Sequence, residues 1–248
     1  MTSPTDQTPI PTNHDAIPAA SWEDDETSAS LFLRAAIVLV TGAFLLWTQR
    51  SAPIIPGQEW GRWIWAAVIC NLVLPLGIIW LLFGQGLSHL DWLKNQKHNA
   101  WNYGWNFRDW KKHFQIALTI FGVMLPFLWW QSRVPEVREF YHAFYPQGGS
   151  TPALLALLAT SVLYMLCWEW FFRGFLLFGM AQGFGFFIAI LLQAALFGAA
   201  HWGKPPLEMY SSFAGGLVLG VLCWRKKSFA PAFYAHALMH LAWILLVT

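Results

Sequence analysis

Seven stretches of the chain, 31–49, 62–83, 114–131, 152–172, 185–201, 207–224 and 229–247, are dominated by apolar residues with few charges among them. Crossing the hydrocarbon of a bilayer takes roughly 20 such residues in a helix. The pattern predicts an all-α integral membrane protein, a polytopic bundle of seven transmembrane helices. Apolar character continues past Arg173 through Phe175, Leu176, Leu177 and Phe178 to Met180. Span four therefore reads as one long helix or as a span followed by an interfacial turn, which leaves room for an eighth membrane element. Residues 1–30 are rich in Thr, Pro, Ser and acids, contain no Lys or Arg, and lack the basic-then-apolar order of a cleavable signal. They predict a disordered tail ahead of a single transmembrane domain over 31–248.

Composition agrees. Only 11% of the residues are charged and 56% are hydrophobic, against about 25% charged in soluble domains. Trp47, Trp63, Trp80, Trp129 and Trp130 stand near the ends of apolar runs, where indole rings collect at membrane–water interfaces. The net charge is +2 and the basic residues are scattered through loops, so the clustered basic face of a nucleic-acid binder is missing. The expected partner is the lipid bilayer. Cys70, Cys167 and Cys223 all sit in apolar segments and read as small hydrophobes. Lys94, Lys97, Arg108, Lys111 and Lys112 fall between Gly84 and His113, and Arg225, Lys226 and Lys227 follow span six. The excess of Lys and Arg in cytoplasmic loops places both groups inside, with the N-terminus cytoplasmic and the C-terminus outside. A plasma or inner membrane is the expected location.

An ionisable side chain within the bilayer costs a few kcal/mol on insertion scales, so each marks a candidate functional position. The candidates are Arg34, Glu169, Arg173, His201, His236 and His240. Glu169 and Arg173 are four apart and share a helix face with the acid first, the better order for an ion pair. Two readings stand: a structural salt bridge, or a buried carboxylate held by Arg173 and working as a general base. His236 and His240 are also four apart on one face, as are Phe197 and His201. Three histidines and a glutamate on the last four spans suit water activation by Glu and His, or a metal with His and carboxylate ligands. If spans four and five turn at Gly183 to Gly185, Glu169 and His201 come to a similar depth on either side of the turn; a turn near Gly174 or Gly179 would separate them.

Three short patterns lie in order on these spans: Glu169-Trp170-Phe171-Phe172-Arg173-Gly174, Phe197-Gly198-Ala199-Ala200-His201 and His236-Ala237-Leu238-Met239-His240. Together they resemble the CPBP, or Abi-type, family of CAAX-protease-like intramembrane proteases, with a core at about 150–248. That family carries EExxxR, FxxxH and HxxxN or a near equivalent on successive membrane helices. The resemblance implies a helical peptidase in which a Glu and a His activate water and the third motif stabilises the oxyanion. Its catalytic residues here would be Glu169, His201, His236 and His240, with Arg173 orienting Glu169. Two positions depart from the pattern. Trp168 replaces the first Glu, so either Glu169 is the surviving base or activity has been lost. His240 replaces the final Asn, and it can donate to an oxyanion or ligate a metal.

The resulting expectation is an endopeptidase acting on a membrane-associated protein or peptide through directly activated water, since no Ser or Cys sits beside a base. The alternative is a catalytically inactive relative that serves as an immunity, scaffold or partner-binding protein. No cofactor is expected. Zinc is the alternative, disfavoured because its ligands would compete with a role as base and no HExxH is present. Ser211 and Ser212 suit a helix interface with Ala214, Gly215 and Gly216. Residues 132–150 read as an interfacial loop, with a place at a substrate entrance as the second reading.

Overall fold

The computed structural model describes residues 28–51, 59–82, 103–145 and 150–247, and these are almost wholly helical. The helices are α1 (Ser28–Ser51), α2 (Glu59–Val68) continued through a π-helical turn (Ile69–Val73) into α3 (Leu74–Leu82), α4 (Trp110–Gln131), α5 (Pro135–Phe144), α6 (Thr151–Glu169) continued through a second π-helical stretch (Trp170–Leu176) into α7 (Leu177–Ala200), α8 (Pro206–Lys226) and α9 (Ala230–Val247). Six of the described helical runs are long and apolar enough to cross a membrane. One of them, Thr151–Ala200, has 50 residues. At 1.5 Å per residue it would extend about 75 Å if straight, against a hydrocarbon core of about 30 Å. It is not straight, because Gly185 inside α7 takes φ 75°, ψ 167°. That backbone region is essentially open to glycine alone.

The chain doubles back at this glycine. Phe172 and Phe197 stack edge-on at 5.0 Å, and Trp168 meets His201 at 5.9 Å, pairs that sit almost symmetrically about Gly185. Counted as two passes, the doubled run brings the membrane passes to seven, as the hydrophobic pattern predicts. Span four does not end at 172; helical backbone carries on through the second π-helical stretch to the break. Two other expectations change. Ser28–Ser30 belong to α1, leaving only 1–27 of the expected tail, which lie outside the described residues, as do Lys94 and Lys97. Residues 135–144 form an amphipathic helix where a loop is expected, opened by Pro135 and with Glu136 in its first turn, the usual chemistry of a helix start.

Glycines set the close approaches. A Cβ at Gly183 would stand 2.3 Å from the Leu31 carbonyl oxygen, and one at Gly216 would stand 3.0 Å from Ala194 Cα. These contacts bring α1 and α8 against α7, and the buried Gln193 amide donates to the Gly216 carbonyl at 2.7 Å. Ser212 is buried on the same helix. The outer faces are apolar, with Phe187 80% and Val123 74% exposed, as lipid contact requires.

The two ends of the bundle differ. At one end the Gly185 turn, the start of α1 and the end of α8 meet: Phe32 packs on Phe184, and Phe186 on Trp224. Ser228 donates to the Asn106 carbonyl at 2.5 Å, which brings the turn after α8 against the segment leading into α4. Both described basic groups, Arg108–Lys112 and Arg225–Lys227, therefore share this end. At the opposite end Arg50, near the end of α1, donates to the carbonyls of Ala200 and Trp202 at 3.0 and 2.6 Å.

Candidate active site

Glu169 ends α6 as the backbone widens into the π-helical stretch, a local distortion often found at functional sites. Both Glu169 and Arg173 are fully buried. Arg173 NH1 donates to Glu169 Oε1 at 3.2 Å and lies 3.0 Å from Oε2. The guanidinium also sits over the Phe197 ring, 4.0 Å from its centroid, so Arg173 ties the two legs of the Gly185 hairpin together. Glu169 Oε1 accepts a hydrogen bond from His236 Nδ1 at 2.6 Å. One carboxylate thus joins an arginine on its own helix to a histidine on α9.

His201 caps the C-terminus of α7, and its Nδ1 donates to the Phe197 carbonyl at 2.8 Å. With Nδ1 committed as donor in both rings, Nε2 is the nitrogen left to accept in the neutral imidazole. His240 lies one turn beyond His236. Trp60 and Tyr164 stack near it at 6.0 and 6.1 Å, and its Nε2 is 3.5 Å from the Tyr145 hydroxyl.

These histidines line one cavity of about 890 Å³, within the usual size range of small-molecule sites. Its walls are mostly aromatic, including Trp60, Tyr141, Tyr145, Tyr164, Trp168 and Trp243. The sequence-predicted residues divide here. His201, His236 and His240 reach the cavity; Glu169 and Arg173 lie behind the wall, and Trp168 presents its indole on it. The Glu169 carboxylate, expected as the surviving base, is enclosed by Arg173 and His236. Among the described residues no three His, Cys, Asp or Glu side chains gather closely enough to share a metal ion, so no step is routed through one.

Two groups enter the site that the motifs do not contain. α5 supplies Tyr141 and, at its end, Tyr145, so the segment expected as an interfacial loop forms part of the wall. Glu208, in the first turn of α8, lines the same cavity; its Oε1 accepts from Lys204 Nζ at 2.7 Å and its Oε2 from the Tyr141 hydroxyl. An acid in a first helical turn reads as an ordinary partner of the helix dipole. Its position within the apolar stretch 207–224 is the signal that marks it out.

A family model described as type II CAAX prenyl endopeptidase Rce1-like matches residues 150–242. The match covers α6 to most of α9, the region holding all three motifs, and bears out the resemblance drawn from them. At family level it points to CAAX-protease-like intramembrane peptidases. No curated protein and no solved structure matches the chain.

Proposed function

We propose that this chain, whose residues 150–242 match the Rce1-like endopeptidases, is an intramembrane endopeptidase that cuts a membrane-associated protein with Glu- and His-activated water. The carrying observation is the 2.6 Å contact between Glu169 Oε1 and His236 Nδ1 behind the wall of the aromatic cavity. A buried carboxylate on Nδ1 fixes the tautomer and orientation of an imidazole, so that its Nε2 is aimed at the cavity. Glu169 thus works through His236, and Arg173 holds Glu169 in place. His201, held by the Phe197 carbonyl, offers a second Nε2 to the water. His240 and the Tyr145 hydroxyl lie where a carbonyl oxygen that develops charge would find donors.

The substrate end of the reading follows from the two ends of the bundle. The basic groups share the end opposite Arg50 and Glu208, and the positive-inside rule puts them in the cytoplasm. The cavity would then open in the outer half of the membrane, accessible to a substrate segment at that face. A single cysteine at Glu139, on the cavity side, should react in intact cells with a membrane-impermeant maleimide; protection until lysis would reverse the orientation.

A second reading, an inactive relative that binds a partner, is favoured by Trp168, which puts an indole where the family pattern has its first Glu. The two separate in the native host. Wild type and Glu169→Gln are compared at equal membrane levels for unprocessed membrane-protein precursors. A defined precursor accumulating in the variant supports the peptidase; identical precursor profiles favour the binding protein.

A further inference from the structure

Amide hydrolysis needs a group that takes a proton from water and returns one to the leaving nitrogen. Glu169 is enclosed behind the wall, and Trp168 cannot carry a proton. Three carboxylates do line the cavity: Glu136, Glu139 and Glu208. The first two are exposed on α5, while the Glu208 side chain is only 26% exposed and lines the same cavity as His236 and His240.

Its placement is built from two sides. Lys204, which holds Oε1, lies in the turn that closes α7, where its backbone N–H donates to the His201 carbonyl at 3.1 Å. Pro205 and Pro206 then start α8, which puts Glu208 in its first turn, four residues after Lys204. On the other side Tyr141 donates to Oε2; its ring stacks on Tyr145 at 5.8 Å, and the Tyr145 hydroxyl reaches His240. Glu208 is thus linked to His201 through one short turn and to His240 through two tyrosines. Two donors occupy two of the roughly four lone-pair sites of a carboxylate, which leaves capacity for a water.

We propose that Glu208 is the carboxylate that takes the proton from the attacking water, standing in from α8 for the acid that Trp168 displaces on α6. The inference rests on the peptidase reading. The water oxygen bonds to the scissile carbonyl carbon as its proton moves to Glu208. That proton passes to the amide nitrogen as the C–N bond breaks, the carboxylate is regenerated, and one water is consumed per bond cut. His236, positioned by Glu169, and His201 orient the water and the carbonyl.

The test uses the purified full chain in detergent, which removes sidedness, and an internally quenched prenylated peptide of the CAAX type. Glu208→Gln should lower kcat by about 100-fold or more, the range of general acid–base catalysis, with KM little changed. Glu208→Ala should regain activity in added formate, a response that a merely structural role would not produce. A Glu208→Gln protein with near wild-type kcat, or a folded Glu208→Ala protein indifferent to formate, would overturn the proposal while leaving the peptidase reading intact. A wild type that leaves the peptide uncut, together with identical precursor profiles for wild type and Glu169→Gln in the native host, would take down both.

Discussion

Replacing Arg173 with Met removes the charge that faces Glu169 in the centre of the bundle while keeping much of the side-chain volume. Both groups of the pair have no exposed side-chain surface, so the remaining carboxylate cannot recover its lost partner from water. Breaking a buried pair by deleting one member costs about 3–5 kcal/mol. The 4.0 Å contact with the Phe197 face adds up to about 2 kcal/mol for a desolvated cation–π interaction. The expected loss is therefore at least about 3 kcal/mol. The double variant Arg173→Met, Glu169→Gln should lose much less, because a neutral amide can still meet His236 and no charge is stranded. Reversible unfolding in mixed micelles, with titrated denaturing detergent, compares the four proteins. A single variant within 1 kcal/mol of wild type, an order-of-magnitude threshold for an exposed pair, would refute the reasoning. A double variant as unstable as the sum of its singles would refute it too, because a coupled pair is non-additive.

Two further outcomes follow from particular positions. Gly185→Ala should cost about 1–3 kcal/mol for its strained backbone alone, since a Cβ there meets nothing within 4 Å; an unchanged melting temperature would argue against the turn. Gly216→Leu should destabilise by roughly 1–3 kcal/mol by overpacking, because its Cβ would press on the backbone at Ala194, and unfolding in micelles reads the change.

Much of this protein can be read from its sequence because the bilayer constrains it strongly. Without water in the hydrocarbon, backbone groups must pair within their own segment, so each long apolar stretch has to be a helix and its count carries over to the fold. A reversal at Gly185 is one of the turns the sequence allows, beside Gly174 and Gly179, and the backbone of the folded chain selects it. The pairing of Glu169 with Arg173 is local, set by four-residue spacing. The identity of the histidines is legible for the same reason: ionisable groups are rare inside membranes and stand out.

Only tertiary structure decided which of these groups meets the cavity. Glu169 and Trp168 are adjacent in sequence, yet one is sealed against Arg173 and His236 while the other forms wall; the direction of a side chain around a helix has meaning only once the neighbouring helices are in place. Glu208 and Tyr141 are 67 residues apart and join through the packing of α5 over the start of α8, a contact that no local pattern encodes. α5 itself reads as a loop because it is short and polar on one face, and it is helical where Val137 and Tyr141 bury against Trp243 and Ile244. Periodicity and spacing determine what forms within a segment, whereas the surface that one segment turns toward another depends on the shape of the whole bundle.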